Sequence, residues 1–321
     1  MSSILITGGT GSLGNALVAR LLRDPQWERI IVLSRDELKQ SEMMTRFQAD
    51  ERLRFFLGDV RDRRRLREAF RGVNVVVHAA ALKRVDAGSY NPGEIKRTNV
   101  DGTENVCAAA IDCGVAQVLT ISSDKAVQPT NIYGASKMFA EHLTVNANAQ
   151  GFPAGTRLAC VRYGNVMGSR GSVVHLWRAD VRAGHPLRLT DARMTRFWLT
   201  LDDACDLVEH ALLALAGGEI FVPKLRAIRL TDLAAAVAGD DYPVTFTGLR
   251  PGGEKLHEAL LGIHEVPRTL DCGGVYVVPP ELHEWTGAQW TGARFPRTHY
   301  ESDSVEFIGV EELRTMVESI T

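Results

Sequence analysis

A glycine-rich segment placed directly after a short apolar run is the feature that most constrains how this chain can fold. The apolar run covers residues 3–7, and it is followed by Gly8, Gly9, Thr10, Gly11, Ser12, Leu13 and Gly14. Glycines at this spacing permit a tight turn and let backbone N–H groups approach a pyrophosphate at a helix N-terminus. Helical residues follow at about 15–23, which completes the strand, turn and helix order of a dinucleotide-binding site. We therefore predict dinucleotide binding rather than a glycine-rich turn without function.

Apolar, strand-like runs then alternate with helical segments through the first half of the chain. The runs cover residues 29–33, 53–57, 73–78, 118–121 and 158–161, with a further strand at 220–222 after a helix at 202–215. This alternation predicts an α/β fold with a doubly wound, parallel sheet of Rossmann type. We expect an NADP-binding domain over 1–163, which also receives about 200–223, and a smaller, interleaved substrate-binding domain over 164–321.

Composition excludes several classes of protein. The 321 residues are 45% hydrophobic and carry a net charge of −2, which indicates a globular protein and argues against a dedicated nucleic-acid binder. No apolar run approaches the ~20 residues of a membrane span. The five cysteines are scattered and form no C-x-x-C pair, so we expect a reduced, cytoplasmic protein without a structural metal.

The residues at the end of the second predicted strand bear on cofactor choice. An acidic residue there would hold the ribose hydroxyls of NAD, whereas an arginine would accept the extra phosphate of NADP. Ser34 ends the strand and Arg35 precedes Asp36, so we favour NADP and keep NAD as the alternative. Asp59 follows the third predicted strand, where its carboxylate could bind the adenine amino group, and Val60 beside it is predicted to contact the cofactor as well. After the fourth strand, the small residues Ala79, Ala80 and Ala81 would permit close approach of the ribose or nicotinamide.

Tyr133 and Lys137 are the candidate pair for proton transfer. They stand four residues apart at the start of a helix predicted to run to about 150, so their side chains share one face. A tyrosine has a pKa of ~10 and is a poor base unless a nearby cation favours the phenolate. Lys137 is predicted to be that cation, together with an oxidised nicotinamide. The alternative is an ordinary helix start with a surface lysine.

Several other polar residues admit two interpretations. Asn99 either caps a helix at 100–113 or holds a water near the active centre. His78 abuts a strand and is expected to be packed rather than catalytic, and the arginine-rich run at 61–67 is expected to be a solvated helix face. Lys83 is predicted to face the site.

The second half of the chain carries arginines in separate loops. Arg196 and Arg250 lie far from the glycine motif, and Glu254 follows the turn at Arg250. Because arginine forks match phosphate oxygens, these residues could form a second anion site, but unrelated surface arginines would give the same pattern.

With these residues identified, the chain resembles an extended short-chain dehydrogenase/reductase. More narrowly, it resembles the UDP-N-acetylglucosamine 4,6-dehydratase family of polysaccharide biosynthesis, in its C5-inverting branch. The matching strings are TGGTGSLG (7–14), SRDELKQ (34–40), GDVRD (58–62), HAAALKRV (78–85), SSDKA (122–126), NIYGASK (131–137), RYGNVMGSRGSV (162–173), RMTRFW (193–198), LRPGGEKLHE (249–258) and GVEELR (309–314).

The resemblance implies a role for each matching residue. Ser123, where the family usually has threonine, would hydrogen-bond the sugar 4-hydroxyl that Tyr133 deprotonates, and Lys137 would also bind the nicotinamide ribose. Asp124 and Lys125 match an acid/base pair of the family. Positions that hold the nucleotide diphosphate and its ribose are matched by Asn165, Arg196, Arg250 and Glu254. An extra glycine separates Arg250 from Glu254, which puts the role of Glu254 in question.

The implied reaction forms a 4-keto-6-deoxy nucleotide sugar with recycled NADP and C5 inversion. A neutral Lys125, its pKa depressed by burial, would remove the C5 hydrogen, and a protonated Asp124 would assist loss of the C6 hydroxyl. Two rivals stay open: a UDP-hexose 4-epimerase, which shares Tyr133 and Lys137, and a non-enzymatic NADP-binding regulator. A UDP-amino sugar is the expected substrate and a homodimer or higher homo-oligomer the expected assembly.

Overall fold

A twisted sheet forms the centre of the structure, a computed structural model that describes residues 2–169, 171–249, 252–281 and 290–320. The strands in chain order are β1 (Ser2–Thr7), β2 (Trp27–Ser34), β3 (Leu53–Leu57), β4 (Val75–His78), β5 (Gln117–Ile121), β6 (Arg157–Val161), β7 (Asn165–Val166), β8 (Leu187–Leu189), β9 (Thr195–Leu199), β10 (Ile220–Pro223), β11 (Ala227–Arg229), β12 (Val244–Phe246), β13 (Ala259–Leu261), β14 (Leu270–Asp271), β15 (Val275–Val278), β16 (Ala293–Arg294) and β17 (Tyr300–Glu301).

Helices connect these strands. They are α1 (Ser12–Leu21), α2 (Glu37–Arg46), α3 (Arg63–Phe70), α4 (Val85–Tyr90), α5 (Pro92–Ile95), α6 (Gly102–Asp112), α7 (Ile132–Asn146), α8 (Asn148–Gly151), α9 (Val173–Arg182), α10 (Leu201–Ala214), α11 (Leu230–Ala238) and α12 (Val310–Glu318). A 3₁₀ turn at Asp124–Ala126 precedes α7, and a π-helical turn at Lys96–Asp101 joins α5 to α6.

The order of the parallel strands confirms the Rossmann-type fold. Across the main sheet the strands run β3-β2-β1-β4-β5-β6-β10, and neighbours pair in parallel. Strand order reverses between β1 and β4, the point at which such sheets bind ligands. The sequence pattern did not predict that β15, β14 and β16 would extend the same sheet in antiparallel pairing beyond β10.

Both faces of the sheet are buried because successive strand residues point to opposite sides. In β1, Ile4 and Ile6 join a core that contains residues of α1 and α10, whereas Leu5 joins one built on α3 and α6. A separate apolar core lies in the C-terminal part, where Trp177 of α9 and Trp198 of β9 join residues of α11 and α12. Because helices cover both faces of the parallel sheet, a ligand site is expected at the carboxyl ends of its strands.

Asn99 lies within a helical run, so the structure excludes the prediction that it caps a helix. Its side-chain amide donates to Leu82 O and Ser136 Oγ, and its Oδ1 accepts from Leu82 N at 2.8 Å. Asn99 therefore fastens the loop after β4 to α7. His78 is buried as expected, between Thr7 Oγ1 at 2.7 Å and Thr103 Oγ1 at 3.0 Å.

None of the helices in the described ranges combines the length and apolar character needed to cross a lipid bilayer.

Candidate active site

The glycine turn after β1 has the close packing that requires glycine. Gly8 has a φ of +66°, and a Cβ on it would lie 2.7 Å from the Cα of Ala80. A Cβ on Gly14 would lie 2.3 Å from Gly9 O, so α1 could not approach the turn if that residue were larger. Gly11 immediately precedes α1, which begins with Ser12, Leu13 and Gly14.

A cavity of about 650 Å³ opens beside this turn, at the carboxyl edge of the sheet. Its walls include many of the residues predicted to contact a cofactor: Gly8, Thr10, Ser34, Arg35, Asp59, Val60, Ala80 and Ala81. Ala79 directly precedes Ala80 in the chain, and its backbone N–H donates to Thr7 O. The volume, the glycine cradle and the helix N-terminus together fit a dinucleotide.

The two charged residues after β2 have different tasks. Asp36 caps α2, accepting a hydrogen bond from Lys39 N and pairing with the Lys39 ammonium. Arg35 is half exposed, and its Nη1 lies 3.5 Å from Asp59 Oδ2. Burial alone would raise the pKa of Asp59, but hydrogen bonds from Arg61 and the charge of Arg35 lower it. Both residues line the cavity, where Arg35 offers a cation and Asp36 a carboxylate already engaged in a cap.

Ser123, Asp124 and Lys125 form one hydrogen-bonded cluster at the end of β5. Asp124 Oδ1 accepts from Ser123 Oγ and from Lys125 Nζ, both at 2.8 Å. Lys125 Nζ also donates to Asn165 Oδ1 at 3.1 Å. Asp124 is fully buried, and its Oδ2 has no hydrogen-bond partner among the described residues. Burial raises the pKa of this carboxyl, although the charge of Lys125 opposes that shift. The raised pKa favours the protonated acid.

Tyr133 is held against this cluster by the tight start of α7. Asn131 caps the helix through Gly134 N, and a Cβ on Gly134 would lie 2.3 Å from Lys125 O. Burial raises the pKa of Tyr133, and the cation that opposes this is Lys125. That Lys137 lowers the Tyr133 pKa together with an oxidised nicotinamide stays a prediction.

Lys137 is buried one helical turn after Tyr133. Its Nζ donates to Ile121 O at 2.7 Å, at the end of β5. Burial lowers the pKa of Lys137 to about 8, partly offset by the charge of Glu141. The ammonium is thus anchored to the strand end, at the edge where the sheet meets the cofactor cavity.

The structure contradicts the expectation that burial makes Lys125 neutral. Burial does favour the neutral amine, but the charges of Asp124 and Glu258 outweigh it and raise the pKa of Lys125. Glu258 Oε1 lies 3.4 Å from Lys125 Nζ. Lys125 is therefore an ammonium in this structure, flanked by two carboxyl groups.

Glu258 is the site residue that the sequence interpretation missed. It directly precedes β13, more than 130 positions after Lys125, and only 4% of it is exposed. Lys255 reaches back to donate to Val127 O at 2.6 Å. The string LRPGGEKLHE contained both residues, but a buried carboxylate cannot be recognised from a short polar string alone.

The residues predicted to bind the nucleotide occupy separate elements. Asn165 lies in β7 beside Lys125, and buried Arg196 lies in β9, where it donates to Thr195 O and Leu256 O. Arg196 Nη2 is 3.4 Å from Glu254 Oε1. Lys83 is exposed in the segment between β4 and α4. Arg250 lies outside the described residues.

The additional glycine before Glu254 has a structural place. Gly252 and Gly253 both have positive φ angles, 101° and 83°. Gly253 O accepts hydrogen bonds from Thr130 Oγ1 and Asn131 Nδ2, which ties this turn to the segment that leads into α7. The turn thus joins Glu254 to the element that carries Tyr133.

A Rossmann-type sheet with a buried tyrosine and lysine on one helix at its carboxyl edge defines an extended short-chain dehydrogenase/reductase, as the sequence predicted. The chain belongs to the polysaccharide biosynthesis protein family, whose profile matches residues 4–280.

Curated relatives with two different activities are similar to the chain. A UDP-N-acetylglucosamine 4,6-dehydratase (inverting) of Campylobacter jejuni is 43% identical over 281 residues, 87% of this chain and 83% of that protein. A UDP-glucose 4-epimerase of Rickettsia akari is 42% identical over 295 residues, 90% of this chain and 86% of that protein.

Solved structures share the fold. Pen from Bacillus thuringiensis superposes with a TM-score of 0.91 at 34% identity, covering 99% of this chain and 98% of that one. The dTDP-glucose 4,6-dehydratase DesIV of Streptomyces venezuelae, solved with NAD bound, gives a TM-score of 0.71 at 26% identity and covers 78% of this chain and 86% of that one.

Proposed function

We propose that the protein is a nucleotide-sugar 4,6-dehydratase that converts UDP-N-acetylglucosamine, or a close UDP-amino sugar, to a 4-keto-6-deoxy sugar. The observation that carries this proposal is Asp124, a fully buried carboxyl with a raised pKa and one oxygen without a partner in the described structure. Loss of the C6 hydroxyl requires an acid, and burial of Asp124 favours its protonated form. The similar dehydratase from Campylobacter jejuni supports the same reaction.

The residues around Asp124 have complementary tasks in this proposal. Ser123 orients the 4-hydroxyl, and Tyr133 takes its proton. Lys125 sits beside the carbon that becomes acidic once the 4-ketone has formed. Asn165, Arg196, Arg250 and Glu254 are proposed to hold the nucleotide diphosphate and its ribose, and Lys83 to line the sugar side.

A nicotinamide dinucleotide fits the cavity beside the glycine turn. When bound, it would accept hydride from the sugar C4 and return it to C6, so no external reductant is needed. Gly8, Thr10 and the start of α1 would hold its pyrophosphate, and Lys137 its nicotinamide ribose. We propose NADP rather than NAD. Arg35 and Asp36 both line the cavity, but the Asp36 carboxylate is engaged as the cap of α2 and in a pair with Lys39.

The choice of NADP can be measured with Arg35→Met. Loss of a charge-assisted hydrogen bond costs about 1.5–3 kcal/mol, so NADP binding should weaken roughly ten- to hundredfold while NAD binding changes little. Titration of both dinucleotides with the purified protein would report the two dissociation constants. Arg46→Met, in the same helix region but outside the cavity lining, is the control. An equal loss for both dinucleotides in R35M would contradict the proposal.

A 4-epimerase is the second candidate, favoured by the 42% identity to the Rickettsia akari protein. Both reactions begin with oxidation at C4, so Tyr133 and Lys137 do not distinguish them. An epimerase removes no hydroxyl and has no use for a buried acid such as Asp124. This difference in chemistry is the reason for preferring the dehydratase.

The direct test is incubation of the protein with NADP and UDP-N-acetylglucosamine in deuterated water. We expect a 4-keto-6-deoxy product that carries solvent deuterium at C5, measured by mass and by proton NMR. An epimerase would instead return a 4-hydroxy sugar with hydrogen at C5, and a regulator that only binds NADP would form no product. C5 inversion, the cytoplasmic location and a homodimer or higher homo-oligomer stay predictions.

A further inference from the structure

A buried carboxylate in the C-terminal part of the chain lies behind the lysine of the proposed active site. Glu258 Oε1 is 3.4 Å from Lys125 Nζ, and the glutamate side chain is only 5% exposed, against 24% for the lysine. Lys125 is thus the more exposed member of the pair, and its ammonium is in contact with the buried carboxylate.

The surroundings keep Glu258 ionised. Burial alone would raise its pKa, but the cationic side chains of Lys125, Arg196 and Lys255 together lower it. Lys255 Nζ is 3.3 Å from Oε2, yet its hydrogen bond goes to Val127 O, so Oε2 accepts none from the described part of the chain. The oxygen without a partner among the described residues is thus on the Lys255 side, and Oε1 is the oxygen that faces Lys125.

The backbone fixes the position of this side chain. Glu258 N donates to Ser302 Oγ at 3.0 Å, and Ser302 N donates to Glu258 O at 2.8 Å. Both contacts lie at the start of the small sheet of β13 and β17. Glu258 is thus held by the C-terminal part while its carboxylate reaches the 3₁₀ turn that carries Lys125.

An ammonium has no lone pair, so Lys125 can take a proton only while it gives one away. Its two carboxyl neighbours are Asp124 and Glu258. Burial favours the protonated form of Asp124, which is needed as the acid. Glu258 is therefore the group that can receive the proton that leaves Lys125.

We propose that Glu258 is the final acceptor of the C5 proton, which it receives through Lys125 as a relay. The inference rests on the proposed dehydratase function. As the C5–H bond breaks, its proton moves to Lys125 Nζ and a proton of the ammonium moves to the Glu258 carboxylate. The bond electrons remain in the enolate next to the 4-ketone, and Lys125 stays cationic beside it. Reversal of the two transfers returns a proton to the C5 face that it left and retains the configuration. C5 inversion instead requires a proton from the opposite face, and Glu258 then releases its proton to solvent. The proton that Tyr133 took from the 4-hydroxyl restores the acid at Asp124.

Replacement of Glu258 by glutamine removes the acceptor and keeps the shape. In E258Q we expect reduction of the bound NADP by UDP-N-acetylglucosamine to persist in a single turnover. Deuterium incorporation at C5 and product formation should fall roughly 10²–10⁴-fold, the usual contribution of a positioned acid or base. Glu301→Gln, on the neighbouring strand β17, is the control and should keep the wild-type rates.

A second measurement needs no substrate. The protein is labelled with ¹³C-lysine, and the Cε resonance of Lys125 is assigned by its loss in Lys125→Met. A nearby carboxylate raises a lysine pKa by roughly 1–3 units, so this resonance should begin to titrate at a pH lower by about that amount in E258Q. Unchanged titration of Lys125, or wild-type deuterium exchange at C5 in E258Q, would overturn the inference.

The outcomes separate this inference from the proposed function. A wild-type protein that makes no 4-keto product contradicts the dehydratase, and the relay with it. A wild-type protein that exchanges C5, together with an E258Q variant that exchanges equally fast, contradicts the relay alone. If E258Q does not fold, Glu258→Asp replaces it. Its carboxylate is one methylene shorter, so exchange should be intermediate, and a wild-type rate in E258D would overturn the inference.

Discussion

Asp124→Asn is expected to lower formation of the 4-keto-6-deoxy product by roughly 10²–10⁴-fold, because the amide cannot act as a general acid. The substitution preserves size in a site that is fully buried, and Asn can still accept hydrogen bonds from Ser123 and Lys125. The loss should therefore fall on departure of the C6 hydroxyl. Stopped-flow absorbance of reduced NADP should show that C4 oxidation persists.

The pH dependence of wild type gives a second readout for Asp124. Its pKa is raised by burial, and the acid form is required, so turnover should fall as the pH rises through that pKa. The high-pH decrease that belongs to this group should be absent from the residual activity of D124N. Asp112→Asn, in a surface ion pair with Arg63 and Arg67, should leave turnover unchanged. Wild-type product formation by D124N would contradict the assignment of the acid.

Arg162→Met is expected to lower the free energy of unfolding by about 3–5 kcal/mol, because it leaves the buried Glu141 and the partly buried Glu265 carboxylates without their cation. Arg162 Nη2 pairs with Glu141 Oε2 at 2.6 Å, and Nη1 pairs with Glu265 Oε2 at 2.7 Å. The arginine side chain is only 3% exposed. Its Nη1 also donates to Leu260 O, so the cluster fastens β13 to α7 and β6. Urea unfolding followed by circular dichroism would measure the loss.

The sign of the pH effect follows from Glu265. Burial alone would raise its pKa, and Arg162 more than reverses this. Once Arg162 is absent, the pKa of Glu265 should rise, so the variant should be less destabilised at acidic pH, where the carboxyl is neutral, than at neutral pH.

Two controls test the charge explanation of the Arg162→Met effect. Arg193→Met, which breaks an exposed pair with Asp191, should change stability little. A triple variant that adds Glu141→Gln and Glu265→Gln to Arg162→Met should recover part of the loss, because no buried charge is left unpaired. A triple variant as unstable as R162M alone would show that packing, not charge, carries the effect.

Local patterns in the sequence were enough to predict the sheet and much of the cofactor cavity. The spacing of Gly8, Gly11 and Gly14 is a local requirement of one turn, and strand periodicity is set by neighbouring residues. The same holds for Tyr133 and Lys137, whose helical spacing places both at the start of α7. Asn99 shows where a local interpretation fails. Asparagine favours helix caps, but its side chain here bonds Leu82 and Ser136 across a tertiary contact.

The protonation states of the site were decided by residues far apart in the chain. From its own neighbours, a buried Lys125 was expected to be neutral. Glu258 enters from a strand pair in the C-terminal part and, with Asp124, keeps the ammonium. Charges interact strongly where water is excluded, so Asp124, the adjacent residue, and Glu258, brought in by folding, together reverse the prediction.

The sequence alone therefore determined the parallel part of the sheet and the place of the glycine motif, because both follow from short-range spacing. Only the tertiary structure decided which side chain can hold a proton, because that depends on distances between charges that no local pattern records.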